Sequence, residues 1–82
     1  MADYQPIPCV QHERLEFAVL RRQRLFMRWQ AEDGEVLEAL VQALDVNTRN
    51  QAEWLHLREL EGMHAGRESE LRLDAIRYFE VR

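Results

Sequence analysis

The side chains able to do chemistry in this sequence are few and scattered. Cys9 is the only cysteine. It stands where a helix is expected to begin, a position that raises a thiol's acidity, and His12 follows at a distance from which an imidazole could take the thiol's proton. No further part of a nucleophile site accompanies this pair, and a packed, inert thiol is the expectation. His12, His56 and His64 are widely separated and do not recur with cysteine or carboxylate at ligand spacing, so no metal is expected. Trp29 and Trp54, with Phe26 and Tyr78, are the residues that would stack bases in a single-strand binder. Their more ordinary use is as core or partner-facing apolar surface. Arg21, Arg22, Arg24 and Arg28, beside Phe26, form a basic cluster that could grip phosphates. Its plain alternative is the last turn of a helix followed by a solvated strand edge. A glycine-rich phosphate loop, paired catalytic carboxylates and a nucleophile motif are all missing from the sequence, so neither catalysis nor a cofactor is expected.

Composition narrows the classes further. The chain has 82 residues, 46% of them hydrophobic and 32% charged. That is ordinary for a globular protein and too apolar for a disordered one. One domain spanning 1–82 is expected, with folding removing roughly 60–65% of the unfolded surface. No apolar run approaches the ~20 residues of a membrane span, and no basic-then-apolar segment opens the chain; a cytoplasmic address follows as the expectation. The formal net charge is −4, which weighs against direct nucleic-acid binding, because such binding rests on excess cations neutralising phosphates.

The elements that must position these residues follow from periodicity. Pro6 and Pro8 impose an extended lead-in, so a helix begins only after them. Leu15, Ala18 and Val19 then share one helical face over Val10 to Arg21. Leu25, Met27 and Trp29 alternate with Phe26, Arg28 and Gln30, and Asp33-Gly34 signals a hairpin turn. Residues 35–44 suit a helix by propensity, but a hairpin turn directly before them argues for a returning strand. Residues 45–51 read as a polar turn, 53–60 as a strand with Leu55 and Leu57 on one face, and 61–69 as an exposed loop. In residues 70–79 the apolar positions change phase: Leu71 and Leu73 are odd, Ile76 and Tyr78 even. Helical spacing of Leu71, Ala75, Tyr78 and Phe79 competes, yet Ile76, Tyr78, Phe79 and Val81 suit a pleated surface better. The phase change predicts two short strands with a bulge or sharp bend at Asp74-Ala75.

Tyr4, Gln5, Pro6, Ile7 and Cys9 at the start, with Glu70, Leu71, Arg72, Leu73, Asp74, Ile76 and Phe79 at the end, resemble the bacterial Rho-binding antiterminator family, the Rof-like proteins. The intervening "LEFA", "DGE" and "EWLHLRE" follow the same pattern, so the likeness spans nearly the whole chain. It implies an Sm-like fold: a mainly β, small, strongly bent five-stranded antiparallel barrel with an N-terminal α-helix, the last two strands joined by a very tight turn. It also implies a non-catalytic inhibitor of the transcription terminator Rho, binding that hexameric helicase and blocking RNA loading at its primary RNA site. The alternative is an Sm-like RNA-binding module using the Arg21, Arg22, Arg24 and Arg28 patch. In the family an acid-rich helix start just after the cysteine is the expected contact. The matching candidates here are Gln11, His12, Glu13, Arg14 and Glu16, of which only Glu13 and Glu16 are acidic.

Overall fold

A computed structural model describes residues 4–82. After the extended lead-in, helix α1 covers Cys9–Leu20. It ends on two bonds from beyond the last turn, Arg22 N–H to the Val19 carbonyl at 3.2 Å and Gln23 N–H to the Ala18 carbonyl at 2.9 Å. Arg22 reaches them by taking a left-handed conformation, φ 53°, at the position where helices most often place glycine. Five strands follow: β1 Arg24–Gln30, β2 Val36–Arg49, β3 Ala52–Glu59, β4 Glu68–Arg72 and β5 Ile76–Val81. They form one antiparallel sheet in the order β4-β3-β2-β1-β5.

Residues 35–44 are strand, against their helical propensity, because Leu25, Met27 and Trp29 pair with Val41, Ala39 and Leu37 across the hairpin. The polar stretch 45–51, expected as a turn, is mostly strand. β2 runs on to Arg49, and the turn contracts to Asn50-Gln51, both with positive φ, 51° and 63°. What hid the continuation is a bulge. The register against β3 slips between Ala43 and Asp45, so the inward positions change from Val41 and Ala43 to Val46, which pairs with Leu55. Leu44 is the extra residue, and a sequence that looked helical is a long strand that bends. The loop expected over 61–69 is shorter at its far end, since β4 starts at Glu68.

The phase change in 70–79 is real. Leu73–Ala75 form a 3-10 turn between β4 and β5, and Leu73 is fully buried within it. A second irregularity follows in β5, where the register against β1 shifts between Arg28 and Trp29. Ile76 therefore pairs with Trp29, whereas Phe79, opposite Met27, takes the inward place and Tyr78 faces solvent. This corrects the expectation that Tyr78 lies on the core side.

The turn also dictates the shape of the sheet. β4 and β5 are its two edges, yet a three-residue turn joins them. Five flat strands would hold their edges ~19 Å apart, whereas such a link reaches ~14 Å when fully stretched and far less as a 3-10 turn. The sheet is therefore strongly bent, as expected. No ladder joins β4 to β5, so it stays open along that seam. Its inner face holds Leu25, Met27, Val41, Ala43, Leu55, Leu57, Leu73 and Phe79, and α1 completes this core with Leu15 and Ala18. Among the described residues no helix is long and apolar enough to cross a membrane.

Gln51 occupies the second position of a two-residue turn where glycine is favoured. A left-handed conformation costs an L-residue roughly 1–2 kcal/mol, offset in part by glycine's extra unfolded-state entropy. Gln51→Gly is expected to raise the thermal midpoint by about 2–6 °C, measured by circular dichroism.

Candidate protein-docking site

The first turns of α1 are fastened to the sheet by a polar cluster. Glu53 falls in the inward phase of β3 with Leu55 and Leu57, which would leave a carboxylate at the rim of the core. His12 answers it. Its Nε2 is shielded from solvent and lies against Glu53 Oε2, an ion contact rather than an aligned hydrogen bond. Its Nδ1 is 2.6 Å from Glu16 Oε1. Each ring nitrogen of His12 thus faces a carboxylate, one on its own helix and one on β3. Tyr4 adds its hydroxyl, donating to Glu53 Oε1 at 3.4 Å. Burial, reinforced by the Glu53 charge, pushes the Tyr4 hydroxyl up to about 12, so it remains a neutral donor.

The lead-in is held in the same way. Gln5 N–H donates to Asp74 Oδ2 at 3.1 Å, while Arg72 clamps both oxygens of that carboxylate at 3.0 and 2.6 Å and lies over the Tyr4 ring. Partial burial opposes ionisation of Asp74. The Arg72 guanidinium and the Gln5 N–H outweigh it and hold the carboxyl below the usual aspartate range. Residues 4, 5, 72 and 74 belong to the two stretches that carried the family resemblance. Their function in the structure is to tie the chain's start to the turn that bends the sheet.

The five expected contact residues divide by direction. His12 is half-buried and faces β3. Arg14 lies over the Phe79 ring, with its guanidinium 4.5 Å from the centroid. Gln11, Glu13 and Glu16 are exposed. Glu13 makes no ion pair among the described residues. Sequence reasoning missed the apolar neighbours of Glu13. Val10, Phe17 and Leu20 are 68%, 54% and 78% exposed. At 100° per residue they lie with Glu13 on the side of α1 opposite Leu15 and Ala18. A helix buried on one face normally turns a polar face outward; α1 is apolar on both. The signal was present in the spacing of Val10, Glu13, Phe17 and Leu20, but the inward stripe drew attention from it.

The basic cluster does not assemble as one patch. Arg21 stacks on Phe17 with its guanidinium 5.7 Å from the ring centre, and Arg22 caps the helix. Arg28 is paired with Glu38 at 3.2 Å and lies over Tyr78. Arg24 alone remains on the outer face of β1 without an ion pair among the described residues. Cys9 is exposed rather than packed, which corrects the expectation of a buried thiol. Among the described residues no group of histidine, cysteine, aspartate or glutamate could hold a metal ion.

No protein-family model matches the chain, and no curated protein matches it in sequence.

The Asp74 geometry sets a dependence on acidity. A depressed folded-state pKa contributes stability above the unfolded value and loses it as pH falls through the folded value. The wild-type chain is expected to lose stability progressively below about pH 4, and Asp74→Asn to flatten that limb while costing roughly 1–2 kcal/mol at pH 7. Urea midpoints measured between pH 2.5 and 7 would read both.

Proposed function

We propose that this protein is a non-catalytic inhibitor of Rho-dependent transcription termination, acting in a bacterial cytoplasm by binding Rho and blocking RNA loading at its primary RNA site. The reading begins from the resemblance carried by residues 4–9 and 70–79. The observation that supports it best is the outer face of α1, where Val10, Phe17 and Leu20 surround the unpaired Glu13.

That face suits occupation of a site rather than chemistry. Rho must present positive charge to hold RNA, and a chain of net charge −4 is drawn to such a surface. Charge alone gives orientation and encounter rate more than affinity. The apolar residues beside Glu13 supply what is lacking, since a desolvated apolar centre within a charged rim is how compact interfaces hold. The family's acid-rich helix start is replaced here by a mixed one, in which hydrocarbon contact takes a larger share. His12 and Arg14 then act indirectly, by fixing α1 against β3 and Phe79.

In a competition assay, the protein is expected to suppress binding of labelled RNA to purified Rho. Phe17→Asp and Leu20→Asp should each weaken this by tenfold or more. Glu13→Arg should weaken it mainly at low salt, where steering counts most. Undiminished RNA binding by Rho at saturating protein would refute the proposal.

A further inference from the structure

β2 is longer than the partner on one of its sides. Against β1 it is paired from Val36 to Gln42, but β3 joins it only from Val41 onward. The last bond on that side runs from Leu60 N–H to the Leu40 carbonyl at 2.9 Å. Backbone groups of alternate residues in a strand point to opposite neighbours. Leu40 points toward β3, so Glu38 and Val36, in the same phase, also point away from β1. Among the described residues no strand lies there to receive them.

This edge differs from the other two. β4 carries Glu68, Glu70 and Arg72, and β5 carries Arg77 and Glu80, charges of the kind that discourage further pairing. On the distal part of β2 the exposed side chains are Val36 and Leu37, and its one charge, Glu38, is already paired with Arg28. Beside the edge lies a groove of about 850 Å³, whose apolar lining includes Trp29, Leu37, Leu40 and Met63. An unpaired edge next to apolar pockets is what an added strand requires: main-chain bonds for affinity and room for alternate side chains.

The surrounding charge decides what kind of strand. Glu32, Asp33 and Glu35 occupy the turn that leads into the edge, and Glu59 and Glu61 stand across the groove. None of these carboxylates has an ion-pair partner among the described residues. On the cationic side, Arg67 and His64 share the loop with Glu61, and Arg24 and Arg82 lie at the far end of the groove, Arg82 paired with Glu80. Carboxylates prevail at the open end.

We infer that the distal edge of β2 is a docking site for an extended basic peptide, which adds to the sheet beside Val36 and Glu38 and places alternate apolar side chains in the groove. This surface is separate from the outer face of α1, and the inference does not depend on how that face is used.

The test is amide hydrogen exchange by NMR on the full chain, titrated with a short acetylated peptide in which arginine alternates with valine. A glutamate-valine peptide serves as the control. Slowed exchange at Val36 and Glu38 with the basic peptide alone is expected. Val36→Pro, tolerated at a strand's first residue, should weaken binding roughly fivefold by removing one donor. N-methylation of alternate peptide amides should weaken it similarly without altering the protein. Glu59→Gln with Glu61→Gln should reduce both affinity and its salt dependence. Unchanged exchange at saturating peptide, or equal binding of the acidic peptide, would overturn the inference. So would protection of both amides that appears without peptide and grows with protein concentration, because a second copy would then occupy the edge.

Discussion

The fold depends on one covalent constraint, the shortness of the link between its two outermost strands. Leu73–Ala75 leave no room for a flat sheet, so every other feature accommodates curvature. The bulge at Leu44 turns the longest strand, and the slip at Arg77 returns β5 to the inward phase. Leu73 occupies the core from within the turn itself. Because Asp74 in the same turn receives Arg72 and the Gln5 N–H, the bend is braced by the chain's first described residues. A local turn thus becomes a long-range fastening.

Much of this was legible in the residues. The change of phase between Leu73 and Ile76 pointed to a corner, and Asp33-Gly34 pointed to a hairpin that overrode the helical propensity of residues 35–44. What escaped detection were the places where pairing overrides local composition. Asp45 to Arg49 are polar and read as a turn, yet they are a strand because β3 offers them partners. Asn50-Gln51 lacks the glycine that would have marked the true turn. Tyr78 and Phe79 are both apolar, and only the register slip decides which is buried. A slip of one residue leaves no compositional trace.

The candidate site was legible to a different degree. Glu13 and Glu16 were visible as carboxylates on a helix, but the ion contact between His12 and Glu53 joins elements far apart in sequence and has no local signature. The outward apolar residues of α1 were individually plain. Their significance emerged only once Leu15 and Ala18 were seen to satisfy the core without them. The helix is therefore held by Leu15, Ala18 and the partly buried Val19 on its inward side, and the polar cluster fastens its first turns.

Among the described residues every aromatic ring except that of Trp29 has an arginine over it, and the chain contains no lysine among its basic residues. A guanidinium is flat, weakly hydrated and always charged, so it can lie on a ring and still face water. The protein thereby lays a wettable lid on its exposed rings, Phe17 and Tyr78 included, and the exposed apolar groups without such a lid are branched or linear aliphatic ones such as Val10, Leu20, Val36 and Met63. Aliphatic surface makes few demands of direction on whatever meets it. Discrimination between visitors falls to the ionic groups at its margins.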